Sequence, residues 1–392
     1  MQKKILHVVN ISFVLPYYIG EQFDYFKKKG IEFYVACSPS EHLLSYAKKK
    51  QITPFPIQIL REINFVQDLK SIFKLIKLIK RNNIDIVIGH TPKGAMIAMI
   101  AAFFAGVSKR IYFRHGLMYE TSFGLKRNLL IWIERLTGLL ATKVVCVSPS
   151  VLRISNHQKL NSTRKNLLLN IGTCNGINVN WFGKERVSEV NVKEIASKSK
   201  IESHHQVIGY VGRLVNDKGI NELIEAWKIL LSKYNNIKLL LVGPFEERDS
   251  ISEELKQYIR DEPTIIHTGL INDTSLYYQL MSVFVLPSHR EGFPTVVLEA
   301  SSMQLPVLTT KVTGCIDSII EGVTGEYISK DPHDIAAKIA YYLDNKEIAL
   351  AHGLNGRTFV QQHFAQEKIW DEIESKVLEL KNIEKINKVK PI

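Results

Sequence analysis

The strongest constraint on this chain is a strand rhythm that starts twice. Apolar, mostly β-branched runs recur at 4–10 (KILHVVN), 31–37 (IEFYVAC), 85–90 (DIVIGH), 110–116 (RIYFRHG), 143–148 (KVVCVS) and 166–170 (NLLLN). Helical patterns lie between most of them. The series restarts at 207–214 (VIGYVGRL) and continues at 237–243 (IKLLLVG), 264–269 (TIIHTG), 283–288 (VFVLPS) and 306–310 (PVLTT). Strands that are apolar on both faces and alternate with helices form parallel sheets covered on each side. Two series predict two doubly wound α/β domains, and 392 residues is long enough for both. The expected domains are 1–190 and 206–363. Between them 191–205 is the expected linker, within the polar stretch 184–205, and 364–392 reads as one or two charged helices. Open α/β sheets bind ligands beyond the carboxyl ends of their strands, so strand-end residues carry the functional weight.

Composition excludes several classes. Hydrophobic residues at 45% and charged residues at 23% suit a soluble globular protein. No period of 20–50 residues points to a solenoid. Cys37, Cys146, Cys174 and Cys315 form no C-x-x-C pair and read as small apolar core residues. The apolar run before Asn10 is too short for a signal peptide. The run 95–106 is too short to span a bilayer, and Glu134 and Arg135 interrupt 129–141. A cytoplasmic protein without a transmembrane helix is expected. The charge is lopsided. Up to Val190 there are 28 basic and 11 acidic residues, and after it 23 basic and 28 acidic. A basic first half suggests an anionic partner: nucleic acid, a membrane surface or a phosphorylated substrate.

Five strand ends stand out. In GYVGRLVNDKGI (209–220), Gly212 lets backbone approach a ligand, Arg213 can fork onto phosphate oxygens, and Lys218 adds a point charge. The bland alternative is a strand-end arginine with a solvated lysine. In SHREGFPTVVLEA (288–300), Pro294 suits the start of a helix running to about Met303. A helix N-terminus attracts anions, and Gly292 and Phe293 would bring backbone amides to a phosphate. Glu291 precedes that helix and Glu299 lies inside it. Each carboxylate can accept two hydroxyl hydrogen bonds, so the pair could hold two polyols on either side of a diphosphate. A solvated Glu299 is disfavoured by apolar Val296, Val297, Leu298 and Ala300 beside it. In YFRHGLMYE (112–120), His115 is either over a cleft or a packed strand-end histidine. IGHTPKGAM (88–96) places Lys93 near a helix start, and NGINVNWF (175–182) is a turn beyond the last strand of the first half.

HTPKG, RHG, NGIN, GRLVNDKG, EGFPTVVLEA and VTGCIDSIIEGVTGEYI together resemble glycosyltransferase family 4 over nearly the whole chain. HTPKG with RHG is most similar to bacterial capsule, O-antigen and exopolysaccharide members. The resemblance implies a GT-B fold, two Rossmann-like domains facing a cleft, with a C-terminal helix crossing back to the first domain. It implies a retaining transfer from a nucleotide sugar, with UDP the expected nucleotide, to an undecaprenyl-diphosphate-linked or similar glycan. Arg213 and Lys218 would hold the diphosphate, with Gly212, Gly292, Phe293, Pro294 and Thr295 around the donor. Glu291 would hold sugar hydroxyls, Glu299 the ribose, and His115 would sit beside the transferred sugar and its leaving phosphate. Lys93, Arg114 and Tyr119 would lie on the acceptor side. Many relatives carry a Gly-Gly loop after the first strand, whereas NISFVLPYYIGEQ offers only Gly20.

No two aspartates lie two positions apart, so the Asp-x-Asp metal site of other transferases is not available here. Arg213, Lys218 and the helix start could neutralise the leaving group instead. No cofactor or metal is therefore expected. The helix 68–83 sets Lys70, Lys74, Lys77 and Arg81 near one face, which suits an anionic membrane surface or simply a solvated helix side. Two rivals are a GT-B sugar-nucleotide epimerase and a basic nucleic-acid-binding protein. The second lacks an aromatic-basic platform or a recognition helix, so no nucleic-acid partner is expected.

Overall fold

The computed structural model describes residues 2–62 and 64–380. The chain forms two compact units. One comprises residues up to Asn175 with the segment returning from Glu367, and the other is Gly176–Gln366.

The first unit holds a seven-stranded parallel sheet of β1 (Lys3–Val8), β2 (Ile31–Cys37), β3 (Thr53–Pro56), β4 (Ile86–His90), β5 (Lys109–Arg114), β6 (Lys143–Cys146) and β7 (Asn166–Leu168). The order is β3-β2-β1-β4-β5-β6-β7. The second unit holds β8 (Gln206–Val211), β9 (Ile237–Val242), β10 (Ile265–His267), β11 (Val283–Leu286), β12 (Val307–Thr310) and β13 (Gly325–Ile328), ordered β10-β9-β8-β11-β12-β13. In each sheet the winding reverses once, between β1 and β4 and between β8 and β11. Those crevices, at the carboxyl ends, are where such sheets take ligands.

All eleven predicted runs are strands. β3 and β13 were not predicted, and both are edge strands. β3 reads TPFP, and two prolines remove two ladder donors, which only an edge tolerates. β13 reads GEYI and is half-buried at its centre, so it lacks an apolar run.

The helices follow local signals. Over Phe65–Asn82, Asn64 Oδ1 caps the start by accepting from the Gln67 amide at 3.0 Å, and Asn83 ends it in the left-handed conformation at φ +52. Leu75, Leu78 and Ile79 face the core of the first unit. The second unit has its own core, around Trp227, Leu240, Phe284 and Val307.

Two boundaries differ from expectation. The chain passes between units at Asn175–Gly176, not near residue 190. Ser302 Oγ donates to Phe182 O at 2.6 Å, and Arg186 pairs with Asp273 at 3.3 Å, so 176–190 belongs to the second unit. Residues 191–198 of the stretch placed as a linker lie in the helix Glu189–Lys198. Polarity marked it as exposed, but exposure alone does not make a segment a linker.

The returning segment belongs to the first unit. The helix Gln366–Glu372 and a following π-turn, Ile373–Val377, bury Ile369, Ile373, Val377 and Leu378 in the first unit. Trp370 Nε1 donates to Asn175 O at 3.1 Å, and Glu379 pairs with Lys109 at 2.7 Å and Lys143 at 2.5 Å. Those lysines hold the Glu379 carboxyl down at about 2. The helix expected beyond residue 380 lies outside the described residues. No described helix is long and apolar enough to cross a membrane.

Candidate active site

In the second unit two loops meet at the sheet's reversal. After β8 the chain makes a sharp turn at Gly212, whose amide donates to Val242 O at 2.9 Å. Tyr210 Oη donates to Arg213 O at 2.8 Å and sets the turn. A short 3-10 turn, Asn216–Lys218, leads to Gly219 at φ +71. A Cβ there would lie 2.1 Å from Pro287 O, so only glycine lets this loop abut the end of β11.

The loop after β11 is tied to the first. The His289 amide donates to Asp217 O at 2.8 Å, Arg290 pairs with Asp217 at 2.8 Å, and His289 Nε2 lies 2.7 Å from Glu222 Oε1. Glu291 Oε1 accepts from Ser288 Oγ at 2.9 Å and is in direct contact with the Lys218 ammonium. Lys218 and Glu291 therefore form one unit, drawn from both loops. Arg213 is about half exposed, and its guanidinium contacts the Glu246 carboxylate. An incoming anion would compete with that carboxylate.

The helix Thr295–Ser302 begins after Pro294, which sits at the cap with φ −79. The first amides of a helix have no intrahelical acceptor, so those of Thr295 and Val296 are available to an anion. Gly292 is buried, and a Cβ on Gly314 would lie 2.4 Å from Gly292 O, so the loop after β12 closes on this turn. Phe293 packs on Phe364 with ring centroids 5.3 Å apart. Inside the helix, Glu299 Oε2 lies 2.9 Å from Tyr278 Oη. Burial pushes the Glu299 carboxyl up to about 7. The crevice thus combines two cations, a helix start and two carboxylates, which suits a ligand with anionic oxygens at its centre and hydroxyls at both ends.

In the first unit, His115 follows β5. The Tyr18 ring covers it at 3.6 Å, nearly parallel at 9°. Its Nε2 lies 2.9 Å from His90 Nδ1, and His90 Nε2 lies 3.0 Å from His7 Nδ1. Burial holds His115 down at about 3.

Three residues expected on the acceptor side, Lys93, Arg114 and Tyr119, are buried. Arg114 is fully buried and pairs with Glu134 at 2.8 Å, with Ser155 at 2.9 Å and Asn161 at 3.1 Å as further partners. Lys93 is buried, pairs with Asp68 at 2.6 Å and donates to Glu62 O at 2.7 Å. Tyr119 is 1% exposed. Arg114 and Lys93 are thus held in buried ion pairs, and Tyr119 packs in the core of the first unit. Gly20 has a conformational reason of its own. It sits at φ +52, and a Cβ would lie 2.5 Å from Pro16 O. Lys70, Lys74, Lys77 and Arg81 are all exposed, as expected.

Sequence reasoning missed Asp217, Glu222, His289 and Arg290, which lock the two loops, and Tyr278, which meets Glu299. It also missed His7 and His90. His90 lies within the HTPKG motif and is a strand-end residue, so its position was a usable signal. His7, in the middle of β1, carried none.

Residues 4–148 match the family model for glycosyl transferase 4-like proteins, and 191–359 match that for glycosyl transferases group 1. The chain is 35% identical to the capsular polysaccharide biosynthesis glycosyltransferase CapM of Staphylococcus aureus, over 95% of this chain and 96% of that one. It is 25% identical to a UDP-Gal:alpha-D-GlcNAc-diphosphoundecaprenol alpha-1,3-galactosyltransferase of Escherichia coli, over 75% of each. Among solved structures, a Rickettsia africae glycosyltransferase superposes with a TM-score of 0.79 at 20% identity, covering 96% of this chain and 99% of that one. Anabaena HepE in complex with UDP-glucose superposes at 0.78 and 17% identity, covering 98% and 100%. The doubly wound sheets, Glu291 and Glu299 on either side of the helix start, and these matches make the chain a glycosyltransferase of family 4, with the GT-B fold.

Proposed function

We propose that this protein is a retaining, metal-independent glycosyltransferase that moves a sugar from a UDP-sugar to an undecaprenyl-diphosphate-linked glycan in bacterial surface polysaccharide synthesis. The observation that carries this reading is the Lys218–Glu291 unit at the start of the Thr295–Ser302 helix, with Glu299 farther along it. A UDP donor and a lipid-linked acceptor are supported by the likeness to the Escherichia coli galactosyltransferase and to Anabaena HepE, which has been seen with UDP-glucose. The capsule context is supported by the likeness to CapM.

In this mechanism Lys218, the first helix amides and Arg213, released from Glu246, hold the diphosphate. Glu299 holds the ribose and Glu291 the hydroxyls of the donor sugar. As the anomeric C–O bond breaks, the cations take up the charge on the departing phosphate. The acceptor hydroxyl attacks from the same face, and its proton passes to that phosphate oxygen, so no separate base is needed. Glu291, bound to Lys218 and Ser288, is a hydroxyl acceptor and a poor nucleophile. The family resemblance assigns His115 to the transferred sugar.

The protein works at the cytoplasmic face of an anionic membrane. Supporting this, the helix Phe65–Asn82 exposes Phe65, Val66, Leu69 and Phe73 beside Lys70, Lys74, Lys77 and Arg81. The helix Gly124–Leu140 exposes Leu125, Leu129, Trp132, Leu136 and Leu139 in one stripe, with Lys126 and Arg135 flanking it. The only carboxylates on these helices, Asp68 and Glu134, are buried in ion pairs, so the outward faces are apolar and cationic. Such a face fits an anionic bilayer surface.

The test combines purified protein, a panel of UDP-sugars and an undecaprenyl-diphosphate-linked glycan. UDP release that requires the lipid-linked acceptor, is unaffected by EDTA and is lost in a folded Glu291→Ala variant is expected. Full activity in that variant refutes the assignment. Interconversion of the donor sugar without acceptor would favour the epimerase reading.

A further inference from the structure

Three imidazoles stand in a row inside the first unit. β1, β4 and β5 are neighbours in the sheet, and they carry His7, His90 and, just past β5, His115. His7 is 4% exposed and His90 is 1% exposed. The His7–His90 and His90–His115 ring centroids are each 5.2 Å apart. Hydrogen bonds of 3.0 and 2.9 Å link them in series. Phe23 and Phe33 pack on His7, Phe113 on His90 and Tyr18 on His115. Among the described residues, the titratable groups meeting this row are Tyr18 and the histidines themselves. Burial keeps His7 and His115 at about 3 and His90 well below its ordinary range, so all three are neutral at physiological pH.

A neutral imidazole has one N–H and one lone pair. His90 uses both nitrogens, so it donates to one neighbour and accepts from the other. The whole row must therefore point one way. If it points toward His115, His7 Nδ1–H donates to His90 Nε2, and His90 Nδ1–H donates to His115 Nε2. His115 then carries its hydrogen on Nδ1. If it points the other way, His115 Nδ1 is a bare acceptor and His7 must bury an N–H at Nε2. Beside His7 lies an enclosed space of about 10 Å³, bounded by Tyr18, Gln22, Phe26, Ile373 and Leu378. That is room for about one water. His115 is only half-buried, so an N–H there can reach water or a ligand, whereas an N–H at His7 has at best one confined water, so the direction toward His115 is the cheaper one.

We propose that His90 and His7 are positioning residues that fix the tautomer of His115, presenting it as a neutral imidazole that donates from Nδ1. What His115 donates to rests on the proposed function, and there the leaving phosphate oxygen is the natural acceptor. The row itself does not depend on that reading.

Histidine-selective 15N NMR on the full chain tests the row without any activity. The His115 signals should show a protonated Nδ1 and an unprotonated Nε2, unchanged between pH 5 and 8. His90→Phe should shift His115 toward Nε2 protonation and raise its titration toward the ordinary histidine value of about 6.5. His90→Gln, which can still donate and accept, should preserve the pattern. In the transfer assay, His90→Phe should lower kcat by about tenfold or more with little change in KM, and should make the rate depend on pH below about 7. Circular dichroism and melting confirm that each variant folds. An Nε2-protonated His115 in the native protein, or a His115 whose tautomer is unmoved in folded His90→Phe, overturns the proposal. A correct tautomer in a protein that transfers no sugar supports the row and sinks the enzymatic reading instead.

Discussion

The proposed role of Glu299 as the ribose ligand predicts a pH dependence of donor binding that can be calculated. Its carboxyl, desolvated within the Thr295–Ser302 helix, titrates at about 7 in the free protein. Gripping two ribose hydroxyls requires the ionised form, because a protonated carboxyl has lost one acceptor site. Binding must therefore expel a proton whenever the pH lies below about 7. At pH 6 about one molecule in ten has Glu299 ionised, and at pH 8 nearly all do, so the Kd for a UDP-sugar should weaken about tenfold between pH 8 and 6, or about 1.4 kcal/mol. A UDP-sugar is the right probe, since its diphosphate is esterified at both ends and does not titrate in this range, whereas UDP itself does. Calorimetry in two buffers of different ionisation enthalpy would count the released proton directly. Glu299→Gln should bind more weakly at pH 8 and lose the slope. The same shift bears on stability. The folded carboxyl keeps its proton up to about 7, while the unfolded one releases it near 4.5. Native stability relative to Glu299→Gln should thus fall as pH rises across that window, and a bound donor should reverse the trend. A native Kd that is flat from pH 6 to 8, or a slope that survives in Glu299→Gln, would refute the assignment.

Other outcomes test the remaining geometry. Glu134→Ala strands the buried Arg114 guanidinium and should cost about 3–5 kcal/mol in chemical denaturation, whereas an Arg114 reserved for acceptor binding would leave stability untouched. Gly219→Ala places a methyl against Pro287 O in the left-handed region, and should lower the melting temperature and donor affinity together. Replacing Leu129 and Trp132 with Asp should abolish co-sedimentation with anionic liposomes and leave melting nearly unchanged. Equal sedimentation with neutral liposomes would remove the electrostatic part of the membrane reading.

Much of the fold was legible because its cause is local. A strand buried on both faces must be apolar along its length, so eleven strands announced themselves. The candidate site was legible for the same reason, since GRLVNDKG and EGFPTVVLEA lie at the ends of β8 and β11, and those ends meet in any sheet wound this way. What stayed hidden depends on neighbours that are distant in sequence. β3 and β13 are strands only because a sheet edge accepts prolines and half-exposure. The unit boundary at Asn175 depends on what Phe182 and Arg186 touch. Arg114 and His115 are adjacent, and consecutive residues at a strand end point to opposite faces. The first is buried against Glu134, and the second joins His90 and His7. Residue type and spacing determined which groups stand at the strand ends. The tertiary structure alone decided which of them turn inward, because that follows from the order of β1, β4 and β5 and from what packs on each face.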